Sequence, residues 1–365
     1  MATKRVYEYS PDYAVHPGEV LGERLTAYGM SQTDLAARIG MSTKTLSLIV
    51  NGKAPVTPET AVQLERVLGV SARLWTGLDT NYRLLEARRE AADELQKHRE
   101  WARRFPYAEL ARRGLVPATR GTTERVGNLL SFFGVGSVES WQKQYSQPLV
   151  AFRQSQAFEP SLPATATWLR LSELRARDVD CAPFHEKAFG GVLGLARGMT
   201  RQTVDDKAIS TLRSMCSECG VALVLAAEFK GTHLSGAAQW LTPDKAMLAL
   251  SLRHRTTDHF WFSFYHEAGH LLHDSKKKVY VDASDGSPDC AAEEQANRFA
   301  CDTLIPRKAY DRFLETGNRT ADSITEFAGA IGVAPGIVAG RLQHDGMLPF
   351  NRLNHLKDRV ALDPA

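Results

Sequence analysis

Residues 260–272 read FWFSFYHEAGHLL, an apolar stretch of helical length with His266, Glu267 and His270 set into it. Positions i and i+4 of a helix share one face, so His266 and His270 present two imidazoles to one point while Glu267 stands beside them. Imidazole nitrogen binds Zn²⁺ at about 2.0–2.1 Å, and a catalytic zinc keeps three protein ligands with its fourth position open to water. The metal brings that water's pKa down to about 7, and a neighbouring carboxylate takes its proton as it attacks a carbonyl. The H-E-x-x-H spacing therefore predicts a hydrolytic metal centre, with His266 and His270 as ligands and Glu267 as general base.

Such a centre needs a third ligand, and a second helix supplies candidates. After His270 the chain runs through HDSKKK (273–278), a short extended piece VYVDAS (279–284) and the turn-rich DGSPD (285–289). It then opens AAEEQANRFACDTLIP (291–306), a helical run stopped by Pro306. Glu293, Ala296, Asn297 and Ala300 fall on one face of it, and the small alanines permit close approach to the histidine helix. Glu293 is the expected ligand, with Glu294, a quarter turn away, as the alternative. His273 also lies on the ligand face, but a histidine in a last turn serves the helix C-terminus. The expected ion is Zn²⁺, with Mn²⁺ as the alternative metal.

FWFSFYHEAGHLLHD (260–274) followed by EEQANRFACDTLIP (293–306) resembles the ImmA/IrrE family of zinc metallo-endopeptidases. The likeness runs from about residue 248 to 348 and takes in FAGAIGVAPGIVAGRLQHDGML (327–348). One departure stands out: the family often has Glu-x-Glu-Ala-Asn in its second motif, and here the second Glu is Gln295. The resemblance implies metal ligation by His266, His270 and Glu293, and a protein substrate that is a repressor or antitoxin. Tyr265 and His233 are the nearest candidates for an oxyanion donor, and both read more readily as structural residues.

A second pattern occupies the other end. MSQTDLAARIGMSTKTLSLIVNGKAPVTPETAVQLERVLGV (30–70) reads as helix, turn, helix, loop, helix. Leu35, Ala36 and Ile39 pattern the first helix, Gly40 ends it, and Ser42 caps a second with Leu46, Ile49 and Val50 inward. In a helix-turn-helix the second helix enters the major groove of DNA. Its outward residues Thr43, Lys44, Thr45 and Ser47, with Asn51 and Lys53 after it and Gln32 before, can all donate hydrogen bonds to bases or phosphates. Residues 15 to about 90 resemble the XRE-type helix-turn-helix of HigA-type antitoxins, through VHPGEVLGERLTAYGMSQTDLAARIG, NGKAPVTPETA and SARLWTGLDTNYRL. That resemblance implies operator binding and autoregulation as a homodimer; it does not by itself imply that the chain neutralises a toxin, and a cognate toxin is a further candidate partner.

Composition sets the remaining bounds. The chain has 365 residues, 43 % hydrophobic and 24 % charged, enough for two or three cores. A net charge of +3 is only mildly basic, so affinity for nucleic acid must come from local patches. No apolar run of about 18 residues occurs and the N-terminus lacks a secretory core, so no membrane partner and a cytoplasmic location are expected. Five cysteines, Cys181, Cys216, Cys219, Cys290 and Cys301, are too sparse for a disulfide framework. The single C-x-x-C at Cys216 and Cys219 lacks the second pair of a zinc knuckle and reads as helix-end packing.

The expected architecture is multidomain and mainly α. A helix-turn-helix domain occupies 1–80, a charged helical linker broken at Pro106 occupies 81–120, and a helical middle region occupies 121–200, with Trp141, Phe152, Trp168, Leu171 and Leu174 as core candidates. An α+β zincin-like peptidase domain with a small sheet follows over 201–350, its strands read from VALVLAAEF, SGAAQWL and AMLALSL. Residues 351–365 form a C-terminal tail. Together these features predict a DNA-binding regulator that cuts a repressor or antitoxin. The alternative is an antitoxin or repressor whose peptidase-like domain senses or binds a partner without proteolysis.

Overall fold

A computed structural model describes residues 13–146, 161–251, 253, 255–273, 280–281 and 290–362. Phe152 and the DGSPD turn lie outside these residues. The chain divides into two compact units, 1–99 and 100–365.

The first unit is all helical. Its helices are α1 (Pro17–Ala27), α2 (Gln32–Ile39), α3 (Thr43–Val50), α4 (Pro58–Leu68) and α5 (Ala72–Lys97). Local chemistry fixes the ends of α2 and α3. Ser31 and Asp34 form a reciprocal capping box, Gly40 closes α2 in the left-handed conformation, and the Ser42 side chain accepts from the Thr45 amide. Leu35, Ile39, Leu46, Ile49, Leu64 and Trp75 meet in one core. The first turns of α5 belong to this unit, because Trp75 is fully buried and Asp79 accepts from the Val56 amide at 3.1 Å, pinning the loop after α3.

The second unit begins with α6 (Arg99–Arg103), α7 (Tyr107–Arg112), α8 (Thr122–Phe133) and α9 (Val138–Trp141), the last running into a π turn at Gln142–Ser146. Then come α10 (Leu162–Asp178), α11 (Glu186–Met199), α12 (Asp206–Ser217), β1 (Val221–Leu225), β2 (Gly236–Thr242) and β3 (Lys245–Leu250). The chain continues through α13 (Thr257–His273), β4 (Tyr280–Val281), α14 (Cys290–Leu304), α15 (Arg307–Glu315), α16 (Ala321–Ile331) and α17 (Pro335–His344). The charged stretch expected as a linker over 81–120 is thus shared between the units, and it breaks at His98 as well as before Pro106.

The four strands lie in the order β1-β3-β2-β4, with β1 parallel to β3 and the other pairs antiparallel. β3 sits between two partners and is apolar on both faces, AMLAL being buried throughout. The middle region packs onto this sheet within the same unit. The Trp168 indole donates to the Ala226 carbonyl at 2.9 Å, and Arg113 caps the loop after β1 through the Ala227 and Glu228 carbonyls, each at 2.9 Å. Trp141, Trp168 and Leu171 are buried and Leu174 is half-buried. On the far side, α17 backs α13 closely enough that a Cβ at Gly340 would lie 2.7 Å from Asp258 Oδ2. Residues of the expected tail return to the unit as well: Thr256 bridges Arg359, Asp205 bridges Ala361, and Val360 is buried. Among the described residues no single helix is long and apolar enough to cross a membrane.

Gly220, between α12 and β1, has φ +88°, and an added Cβ would fall 2.3 Å from Phe184 Cα. The neighbouring backbone cannot yield easily, because Phe184 donates to Asp244 O and His185 to Cys219 O. Gly346 has a similar φ of +69° but open space around it. Left-handed backbone alone costs an alanine about 1–2 kcal/mol, and overpacking adds about 1–3. Urea denaturation of the two variants should therefore show Gly220→Ala to be the more damaging by at least about 1 kcal/mol. Equal losses would show that the site has slack absent from this packing.

Candidate metal centre and nucleic-acid surface

α13 runs through the core of the second unit, and thirteen of its residues from Thr257 to Leu271 are buried. Phe260, Trp261, Phe264, Tyr265, Ala268 and Leu271 are buried on its packing faces. His266, Glu267 and His270 are also buried, at 1 %, 0 % and 1 % exposure. Burying two imidazoles and a carboxylate costs free energy unless other groups or an ion compensate them.

α14 brings part of that compensation. Gly269 makes the approach possible, since a Cβ there would lie 3.1 Å from Ala296 Cα, and Ala296 and Ala300 are themselves buried. Across this contact Glu293 Oε2 stands 3.3 Å from His266 Nε2, and Oε1 stands 3.4 Å from His270 Nε2. The two Nε2 atoms are 3.1 Å apart. Burial acts to raise the Glu293 carboxyl, but hydrogen bonding and charge from His266 and His270 outweigh it and hold it down at about 2. The group facing the histidines is a carboxylate.

The donor set fits a metal ion. Bonds of about 2.0–2.1 Å in tetrahedral geometry place neighbouring ligand atoms about 3.3 Å apart. The two Nε2 atoms, 3.1 Å apart, are close to that spacing, each has a different Glu293 oxygen within 3.4 Å, and one donor atom from each of the three residues falls within 4.8 Å of the others. Two imidazole nitrogens and one carboxylate oxygen also form a suitable set for Zn²⁺ with one position left for water. His266 Nδ1 faces Asn297 Oδ1 at 3.0 Å, which favours a proton on Nδ1 and leaves the Nε2 lone pair directed at the cluster. Asn297 is a positioning residue that sequence reasoning placed on the right face without assigning a role. Its signal was the Glu-x-x-x-Asn spacing, one helical turn.

Other candidates stand apart from the cluster. Glu294 and Gln295 are exposed, and His273 packs its ring against Phe299. The Tyr265 hydroxyl donates to the Leu193 carbonyl at 2.8 Å in a buried setting, a structural role. His233 is exposed on a left-handed turn at φ +52°. Cys216 and Cys219 are buried, and burial pushes both thiols up, Cys219 to about 11, away from the thiolate form that metal binding requires. The side chain of Cys290 lies outside the described residues.

Glu267 faces β2. A Cβ at Gly236 would fall 2.5 Å from its Oε1, so the strand backbone walls this carboxylate on one side. No sequence pattern marks that glycine, because the approach is made by a residue thirty-one positions away.

In the first unit α3 displays Thr43, Lys44 and Thr45 to solvent, with Ser47 half-buried and Gln32, Asn51 and Lys53 exposed beside them. Two pairs are engaged internally. The Asn51 amide donates to Ser47 O and Oγ at 2.7 and 3.2 Å, and the Thr45 hydroxyl lies 2.8 Å from Ser42 Oγ at the cap. Leu48 is also exposed on this helix, an apolar group suited to a thymine methyl.

Comparison with known proteins assigns both ends. Residues 21–75 match a helix-turn-helix family model, and residues 221–343 match a peptidase-family model described as the IrrE N-terminal-like domain. An uncharacterised HTH-type transcriptional regulator of Escherichia coli, YddM, is 34 % identical over 71 residues, 20 % of this chain and 76 % of that protein. Virulence-associated protein I of Dichelobacter nodosus is 35 % identical over 78 residues, 21 % of this chain and 72 % of that protein. Among solved structures, a HigA-family addiction module antidote protein from Coxiella burnetii is 30 % identical, covering 23 % of this chain and 91 % of its own, with a TM-score of 0.21. Through its N-terminal unit the chain belongs to the helix-turn-helix family of DNA-binding regulators, and its C-terminal unit carries an IrrE-like peptidase-family domain.

Proposed function

We propose that this regulator is also a zinc-dependent endopeptidase, with His266, His270 and Glu293 as metal ligands and Glu267 as general base. The convergence of one donor atom each from His266, His270 and Glu293 within 4.8 Å carries this reading, with Glu267 on the same helix one residue beyond His266. Zn²⁺, or Mn²⁺ in its place, would supply Lewis acidity toward a peptide carbonyl and an acidified water. Glu267 would serve as the base toward the attacking water and pass the proton on to the departing amine. Its position against β2 and its burial exclude bulk solvent and hold the carboxylate in one orientation. Asn297 keeps the His266 ring in the ligating tautomer. Glu293 holds its charge at neutral pH because both imidazoles face it.

The substrate is a repressor or antitoxin, cut to release a silenced gene, and the first unit binds operator DNA as a homodimer. Support for operator binding lies in the exposed α3 residues and in the family of the first unit. Gln32, Thr43, Lys44 and Lys53 reach bases or phosphates, while Thr45, Ser47 and Asn51 shape the surface and donate where their internal partners leave capacity. A cognate toxin is a further candidate partner of that unit.

The metal-loaded chain should cut the repressor or antitoxin encoded beside it, or itself. Glu267→Gln should lower the rate by about 10²–10⁴ with zinc content unchanged. Asn297→Ala should weaken zinc affinity about 10–100-fold. Loss of zinc in Glu267→Gln, or cleavage that survives it, would remove Glu267 from the role of base.

For the first unit, Lys44→Ala should weaken operator binding about uniformly across sequences and lower the slope of log affinity against log salt by about 1. Unchanged affinity and slope would take Lys44 out of the interface.

A further inference from the structure

The peptide bond to be cut must be brought to Glu267 by groups along the same wall, and a second cluster of chemistry adjoins it. His259, Ser263, His266 and His270 fall at i, i+4, i+7 and i+11, so one stripe of α13 carries both the ligands and the two residues before them. Ser263 and His259 line a hollow whose other walls include Ser235, Arg253, Arg255 and Thr256. Ser235 precedes Gly236, the residue against the Glu267 carboxylate. The hollow is therefore lined by the chain neighbour of Gly236 and by residues one and two turns before the ligands on α13.

Arg253 and Arg255 also wall a second, adjoining hollow of about 170 Å³. Both arginines are exposed, and neither makes an ion pair among the described residues. Glu228 is the acidic side chain that lines the second hollow, so the two guanidiniums leave one positive charge in excess. The backbone beneath them is fixed from two sides. Ser251 donates to Ser235 O at 3.0 Å and its hydroxyl accepts from the Arg253 amide at 3.3 Å. On the other side Val360 donates to Arg255 O at 3.0 Å, and Thr257 donates to Asp358 O at 2.9 Å. Arg255 itself stands at φ +49°, a conformation that costs a non-glycine residue energy and persists where surrounding structure enforces it.

We infer that Arg253 and Arg255 form a specificity subsite that takes an acidic side chain of the substrate, beside the cleavage site. The inference rests on the peptidase reading above. A guanidinium binds a carboxylate by paired hydrogen bonds, stronger than those between neutral groups. From Thr257 to Glu267 the helix rises about 15 Å, which an extended peptide spans in about five residues. The Asp or Glu recognised here lies within that distance of the scissile bond.

The test is binding without turnover. Two fluorescein-labelled dodecapeptides, one alternating Ala and Glu and the other alternating Ala and Gln, are titrated by anisotropy into the full chain carrying Glu267→Gln with zinc present. The Glu peptide should bind about tenfold more tightly, and Arg253→Ala with Arg255→Ala should bring the two within about twofold. Far-UV circular dichroism and the melting temperature report whether the double variant is folded. If it is not, Arg253→Lys with Arg255→Lys replaces it and should lose most of the preference, because lysine lacks the paired donors. Equal affinity of the two peptides overturns the proposal, as does a preference that survives both double variants, or displacement of the Glu peptide only by a DNA duplex. Failure of the peptidase reading shows separately, as absence of cleavage by the wild-type chain while this preference remains.

Discussion

The structure of the second unit turns on the contact between α13 and α14 at Gly269 and Ala296. Two helices can bring short ligands such as imidazole and carboxylate to one point only when their backbones approach closely, and a side chain larger than alanine on either face would hold them apart. The 3.1 Å clearance that a Cβ at Gly269 would have to Ala296 Cα shows how little slack there is. Everything else at the site follows from that approach. Glu293 reaches both imidazoles, Asn297 one turn later reaches the back of the His266 ring, and the apolar faces of α13 are left to pack on the sheet and on α17.

Burial and charge are balanced by placement. Three of the four polar groups at the centre come from one helix, and removing any of them from water is costly unless the others, or an ion, complete their bonding. The carboxylate of Glu293 remains ionised because histidines face it, and Glu267 is walled by backbone where no side chain intrudes. The first unit uses a different economy of parts. Its helices are short, fixed by the Ser31 and Asp34 box, the Gly40 closure and the Ser42 cap, and its core is a single cluster around Leu46 and Trp75. The polar residues of α3 are then left outward.

Residues that act through periodicity were legible in the sequence. The i, i+4 histidines, the capping serines and the apolar stripes of α2 and α3 each state their geometry within one or two turns. Glu293 was legible by its helix face. Features that depend on distant chain crossings were not. Nothing near Gly236 announces that it will lie against Glu267, and nothing in 351–362 announces that Val360 will bury itself beside Arg255. The middle region was legible as helical through Trp168 and Leu171, yet its packing on the loop after β1 is settled by the Trp168 and Arg113 hydrogen bonds to carbonyls there. Backbone acceptors carry no sequence signature.

The most direct measurement of the central claim is zinc K-edge X-ray absorption on the purified full chain. It should show about one zinc per chain in a shell of nitrogen and oxygen only, at about 2.0–2.1 Å, with the outer scattering of two imidazoles. Sulfur at about 2.3 Å would transfer the metal to the cysteines, and absence of tightly bound metal would contradict the site built from His266, His270 and Glu293.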